Sequence, residues 1–346
     1  MSLYVDIKKS LGDFDLNIKF EANQEVLALL GASGCGKSMT LKCIAGIEKP
    51  DYGIIKLDDH ILFDSERKIN LPPQKRKVGY LFQNYALFPN MTVAENIAFV
   101  VQGSKQDKIK AVTEKIKMFC LEGLENLYPV QLSGGQQQRV AFARILASET
   151  KLLMLDEPFS ALDSYLKWQL EQELTSLLET YQRATLFVSH DRDEVYRICD
   201  RIAVMTKGNI DVIRTKHELF ESPETLAGTI LTGCKNISTA KKIDDHTVFA
   251  EEWELELQVE HLVSDNVQYV GFRAHFFSFA QKEKNIFEAE IVRVVEDTFS
   301  FIVMVRPKGS NAKPLRWELE KDQWRSLDQT KLFLSIPEDK IILMKK

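Results

Sequence analysis

The chain has 346 residues, 45% hydrophobic and 27% charged, which suits a soluble globular protein of two or three domains at about 150 residues each. Its net charge of -5 argues against a phosphate-backbone partner, so no nucleic acid is expected. Five scattered cysteines without C-x-x-C spacing read as reduced thiols, and neither a secretory signal nor a membrane span is expected, so any membrane role requires another chain to do the spanning.

In chain order, "LYVDIKKS" and "FDLNIKFE" alternate apolar with polar residues and predict antiparallel strands. "EVLALLG" is apolar without alternation, as a parallel strand buried on both faces would be. It stops at Gly31, and a helix is predicted from about Lys37 to Ala45. "KVGYLFQ" predicts a strand; "PNMTVAENIAFVV", "KIKAVTEKIKMFC" and "VAFARILAS" have helical spacing. "KLLMLDEP" and "ATLFVSHD" repeat the buried-strand pattern on either side of the amphipathic "YLKWQLEQELTSLLET", and "RIAVMTKGNI" predicts a strand entering a hairpin. Strands alternating with helices imply an α/β domain with a parallel sheet over residues 1–230, interrupted by a helical insertion at about 88–150. From about 231 the texture changes. "HTVFAEEWELELQV", "FEAEIVRVVEDTFSFIVMV", "LRWELEKDQW" and "KLFLSIPEDKIILM" predict a small all-β barrel or sandwich through residue 346.

"GASGCGKS" fits G-x-x-x-x-G-K-[ST] directly after a buried strand. The residues Gly31, Ala32, Ser33, Gly34, Cys35, Gly36, Lys37 and Ser38, with Met39 at the helix start, are the expected cis phosphate cradle. The glycines let successive N–H groups face phosphate oxygens, and the helix dipole adds to them. Lys37 would reach the β- and γ-phosphates of ATP, and Ser38 would give its hydroxyl to Mg²⁺. A ligand-free glycine turn explains one or two glycines but not the Lys-Ser that follows.

"LLMLDEP" ends a buried strand with two carboxylates, at the sheet end where α/β proteins bind ligands. Asp156 would hold Mg²⁺ through its water shell, and Glu157 would orient and polarise the attacking water. Gln83, after "KVGYLF", is suited to sensing the metal, and His190, after "TLFVS", to a γ-phosphate hydrogen bond. Taken alone, each of these two is as easily a surface or structural residue.

"LSGGQQQR" starts a helix with Ser133 as N-cap and Gln136 three residues on, a capping box. Capping leaves Gly134 and Gly135 unexplained, since each costs up to about 1 kcal/mol relative to alanine. Bare backbone at a helix N-terminus binds anions. Because the chain already has one phosphate cradle, a second suggests two copies packed head to tail, each offering Ser133, Gly134, Gly135 and Gln136 in trans to the other's ATP.

These segments resemble the ATP-binding subunits of ABC transporters: "GASGCGKS" as Walker A, Gln83 as the Q-loop, "LSGGQQQR" as the signature, "LLMLDEP" as Walker B, "SALD" ending at Asp163 as the D-loop, and His190 as the H-loop. The resemblance covers residues 1–230 and implies a homodimer with two ATP at its interface, Glu157 as catalytic base, and Asp163 in communication across the dimer. It also implies two integral membrane permease subunits, an extracytoplasmic solute-binding protein acting through them, and a peripheral position on the cytoplasmic face. "NYALFPNMTVAENI" would lie near the groove that takes a permease helix. The aromatic residue that family members stack on adenine has no clear counterpart; Phe14 is the candidate, and core packing is its alternative reading.

The β-rich extension with "YVGFRAHFF" resembles the oligonucleotide/oligosaccharide-fold regulatory (TOBE/MOP-like) domain of importer ATPases, and "TGCKNIS" resembles the linker of sulfate/molybdate members. Molybdate or sulfate import is therefore the expectation. The alternatives are import of polyamine, iron or sugar, or a soluble non-transport ABC ATPase. A plain P-loop kinase would have no use for "LSGGQQQR".

Overall fold

The computed structural model describes residues 2–148, 150–160, 164–181, 183–279, 284–327 and 331–345, and the chain divides into two compact units, Met1–Lys216 and His217–Lys346. In the first unit the alternating segments form β1 (Leu3–Leu11) and β2 (Phe14–Ala22), paired antiparallel. β3 (Val26–Leu30) is buried along its whole length and leads through the glycine loop into α1 (Lys37–Ala45). β4 (Tyr52–Leu57), β5 (His60–Asp64) and β6 (Ile69–Asn70) extend the antiparallel edge outward from β1. β7 (Val78–Leu81) precedes the helical insertion, which contains α2 (Val93–Ala98), α3 (Lys105–Met118) and α4 (Gly134–Ala147). β8 (Leu152–Asp156), α5 (Ser164–Tyr181), β9 (Thr185–Ser189), α6 (Arg192–Ile198) and the hairpin β10 (Arg201–Thr206)–β11 (Asn209–Thr215) follow.

The sheet runs β6-β5-β4-β1-β2-β11-β10-β3-β9-β8-β7. Its segment β10-β3-β9-β8-β7 is parallel. β3, β8 and β9 are buried at every position, which is why their sequences are apolar without alternation. Parallel order also brings the carboxyl ends of β3, β9, β8 and β7 to one edge of the sheet, where ligands bind in such folds.

α1 starts at that edge and is stopped at its far end by two devices. Gly46 takes a left-handed conformation, φ 79°, and a Cβ there would lie 2.4 Å from Arg76 Nε. Arg76, only 1% exposed, donates to the Cys43 and Ile44 carbonyls at 2.9 and 2.8 Å, and to Leu71 O and Asn70 Oδ1. A cation on the last carbonyls satisfies orphan acceptors and complements the helix dipole. Arg76→Met should therefore cost about 3 kcal/mol of stability by chemical denaturation, the scale of lost charged hydrogen bonds plus buried unpaired carbonyls. A cost below about 1 kcal/mol would show that those carbonyls find other partners.

α7 (Lys216–Glu221) starts on the last residue of the first unit and runs into the second, where α8 (Leu226–Leu231) follows; no sequence pattern predicts either helix. The strands of the second unit are β12 (Asn236–Asp244), β13 (Thr247–Ala250), β14 (Leu255–Gln258), β15 (Tyr269–Phe272), β16 (Ile286–Glu296), β17 (Ser300–Pro307) and β18 (Leu315–Glu320), followed by α9 (Lys321–Arg325), β19 (Leu332–Ser335) and β20 (Ile342–Met344). They form the antiparallel sheets β14-β13-β12-β15-β20 and β18-β17-β16-β19, which share one core around Trp253, Phe272, Val303 and Trp317. This is the barrel-like domain expected. "LRWELEKDQW", expected to be strand, instead turns helical at Lys321, where Gln323 Oε1 accepts from the Glu320 N–H at 3.2 Å. All five cysteines are free thiols.

Candidate nucleotide site

The loop after β3 has the backbone that its glycines permit. Gly34 and Gly36 have φ of 79° and 107°, and a Cβ on Gly36 would meet Leu16 Cδ1 at 2.7 Å and Phe14 Cζ at 3.2 Å. Ala32, Ser33 and Gly34 are exposed at the tip, while Cys35 and Lys37 are buried. Lys37 Nζ donates to Gly31 O at 2.7 Å and Ala32 O at 3.1 Å, so its charge is held inside the loop. Phe14 packs partly into the core and borders this loop through Gly36, which places the candidate adenine aromatic beside the cradle.

Asp156, at the end of β8, is bound on both oxygens. Ser38 Oγ donates to Oδ1 at 2.9 Å and Tyr80 Oη to Oδ2 at 2.8 Å. Tyr80 escaped the sequence reading. Its strand was visible, but its place beside Asp156 depends on the β7–β8 register, Leu81 against Leu155. Burial first, and then the Asp156 charge, push the Tyr80 phenol far above its usual range, so it remains a donor. Hydroxyl and carboxylate oxygens at the mouth of a phosphate loop are the hard donors Mg²⁺ takes. Among the described residues no cluster of three His, Cys, Asp or Glu side chains could hold a metal by itself. The donor set therefore fits an ion that arrives with its phosphates.

Glu157 sits at φ 47°, a left-handed conformation costly for a non-glycine residue, and its N–H is tied to Val188 O at 2.9 Å. In that position its carboxylate meets both remaining candidates. Gln83 Nε2 lies 3.4 Å from Oε2, and His190 Nδ1 lies 3.3 Å from Oε1. Residues 83, 157 and 190 come from three different strand ends, and the structure gathers them around one carboxylate.

Ser133 and Gln136 form the full capping box: Ser133 N donates to Gln136 Oε1 at 2.9 Å, and Gln136 N to Ser133 Oγ at 3.3 Å. Ser133 and Gly134 are exposed, and among the described residues no hydrogen bond joins 133–136 to the phosphate loop. Asp163 lies outside the described residues. Further along α4, Arg144 donates to the carbonyls of Tyr85 and Ala86 at 2.9 and 2.7 Å, two residues held at φ 59° and 45° just after Gln83. Its guanidinium lies 5.3 Å over Phe88, whose ring is 4.7 Å from the exposed Phe99. The helix that follows the signature thus fixes the conformation of the segment after Gln83, a second contribution not seen in the sequence.

The ABC transporter family profile matches residues 14–160. The sulfate/thiosulfate import ATP-binding protein CysA of Halalkalibacterium halodurans is 33% identical over 344 residues, 96% of this chain and 94% of that one. The Fe(3+) ions import ATP-binding protein FbpC of Haemophilus influenzae is 37% identical over 276 residues, 78% of each chain. Among solved structures, a dimeric ATP-binding cassette in a post-hydrolysis state with ADP and Pi is 29% identical with a TM-score of 0.53, covering 62% of this chain and 99% of that one.

Proposed function

This chain belongs to the ABC transporter family as an ATP-hydrolysing import subunit, and we propose that the solute it serves is an oxyanion, sulfate or molybdate. The carrying observation is the Halalkalibacterium sulfate/thiosulfate relative, which matches 96% of this chain at 33% identity, while shorter matches to other sulfate/thiosulfate, iron and polyamine import subunits cover 62–78%. Residues 231–346 would be the regulatory barrel. Among the described residues no helix is long and apolar enough to cross a membrane, so two permease subunits would span it, with this chain peripheral on the cytoplasmic side and a solute-binding protein acting from outside. The exposed Phe88–Phe99 pair on the insertion offers the permease helix an apolar seat.

In the proposed mechanism the loop Gly31–Met39 cradles the phosphates of ATP, with Lys37 on the β- and γ-oxygens and Phe14 against the adenine. Ser38, Gln83 and Asp156 would hold Mg²⁺, which neutralises charge on the phosphates. Tyr80 keeps Asp156 fixed. Glu157 takes a proton from the attacking water as its oxygen bonds to the γ-phosphorus and the bond to the bridging oxygen of ADP breaks. His190 donates to the γ-phosphate. Ser133, Gly134, Gly135 and Gln136 of the second copy close over the same phosphate, so that ATP binding joins the dimer and hydrolysis opens it. Asp163 would carry communication across that interface.

The test is to purify the chain with its membrane and solute-binding partners, release the solute from the latter by denaturation, and identify it by ion chromatography and mass spectrometry. Bound sulfur or molybdenum oxyanion is expected; bound iron, polyamine or sugar would sink the substrate proposal and leave the ATPase assignment standing.

A further inference from the structure

His190 owes its place to a turn rather than to its own ring alone. Ser189 Oγ accepts from Asp191 N at 2.9 Å and donates to Glu194 Oε2 at 2.6 Å. Asp191 caps α6 by accepting from Asp193 N and Glu194 N at 2.9 and 3.3 Å. Residues 189–194 therefore close on themselves as a local unit. Lys167 on α5 ties that unit to the neighbouring helix: its Nζ lies 2.7 Å from Asp191 Oδ2 and 2.6 Å from Glu194 Oε1. One turn further along α5, Glu171, 2% exposed, receives Arg197 of α6 in a bidentate pair at 2.8 and 3.0 Å.

We propose that Lys167 is a positioning residue for His190: it fixes the turn that presents the imidazole, and with Glu171 it makes α5 and α6 one rigid piece. The inference rests on the γ-phosphate role proposed for His190. Three features give it weight. Glu194 is only 4% exposed, so its charge demands a partner at this spot. Burial pulls the Lys167 ammonium down, but its hydrogen bonds and attraction to Asp191 and Glu194 outweigh that and raise it, so the clamp stays charged. α5 begins at Ser164, directly after Asp163 in the chain, so a shift of α5 is transmitted to His190 through a pair of ion-paired side chains one turn apart.

The test separates positioning from mere charge neutralisation. Lys167→Met alone strands the buried Glu194 charge, so it is paired with Lys167→Met/Glu194→Gln, which removes both charges and leaves Ser189 an amide oxygen to donate to. In that double variant kcat should fall about 10- to 100-fold, the scale of a catalytic group displaced by roughly an ångström, with the melting temperature, KM and fluorescent-ATP affinity unchanged. Lys167→Arg should recover most of the loss. Added to His190→Ala, the same double change should lower kcat no further, because both act through one group. Native kcat in Lys167→Met/Glu194→Gln overturns the proposal, as does a parallel loss of ATP affinity or an additive loss on top of His190→Ala. Native kcat in His190→Ala overturns the role of His190 itself and this inference with it; an inactive His190→Ala beside an active double variant overturns only the inference.

Discussion

Glu157→Gln is expected to lower ATP turnover by about 10²- to 10⁴-fold, the usual worth of a general base, while ATP binding is kept. The amide has the same shape as the carboxylate, so the left-handed backbone at φ 47° and its tie to Val188 O can persist. It cannot take a proton from water. It also removes a negative charge that would face the γ-phosphate, which favours the closed state. With ATP and Mg²⁺ the variant should therefore run as a dimer in size-exclusion chromatography, whereas the native chain reverts to monomer as ATP is consumed. An ATP-loaded monomer would count against the head-to-tail sandwich, and turnover within tenfold of native would remove Glu157 from the role of base.

Ser133→Arg should lower turnover by about 10²- to 10³-fold, the loss seen when a preorganised donor to a developing anion is removed, and here the arginine also obstructs the approach. The folded chain should survive, since losing an exposed cap costs about 1 kcal/mol. Each molecule should still bind nucleotide at its own loop, because no hydrogen bond among the described residues links Ser133 to Gly31–Ser38. Complementation gives the sharper reading. Ser133→Arg mixed with Lys37→Ala creates dimers in which one site pairs an intact loop with an intact signature. Activity should return on mixing; no recovery, or normal turnover in Ser133→Arg alone, would refute the shared site.

Much of the local structure was legible because it depends on neighbours in the chain. α1 occupies Lys37–Ala45 as read, since a glycine loop opens it and Gly46 closes it. Ser133 and Gln136 form the capping box that S-x-x-Q spacing implies. The uninterrupted apolar runs at residues 26–30, 152–156 and 185–189 became the fully buried strands. Other elements gave no local signal. The strands β4–β6 at one end of the large sheet and β12 in the middle of its own carry mixed patterns, and α9 interrupts a segment whose alternation reads as strand.

By itself, then, the sequence determined the pieces of the candidate site: the glycine loop, the acidic pair, the capped helix start at Ser133, and the residues 83 and 190 at strand ends. The tertiary structure decided which of them meet. Gln83 and His190 reach Glu157, and Tyr80 reaches Asp156, only because β7, β8 and β9 align in parallel with Leu81 beside Leu155 and Asp156 beside Val188. The physical reason is that register between strands far apart in the chain is set by packing on both faces of the sheet, and a one-residue slip would turn every one of these side chains to the opposite face. The same holds for Lys167, Arg76 and Arg144, ordinary charged residues in the sequence, each given its partners by an element that no local pattern connects to it.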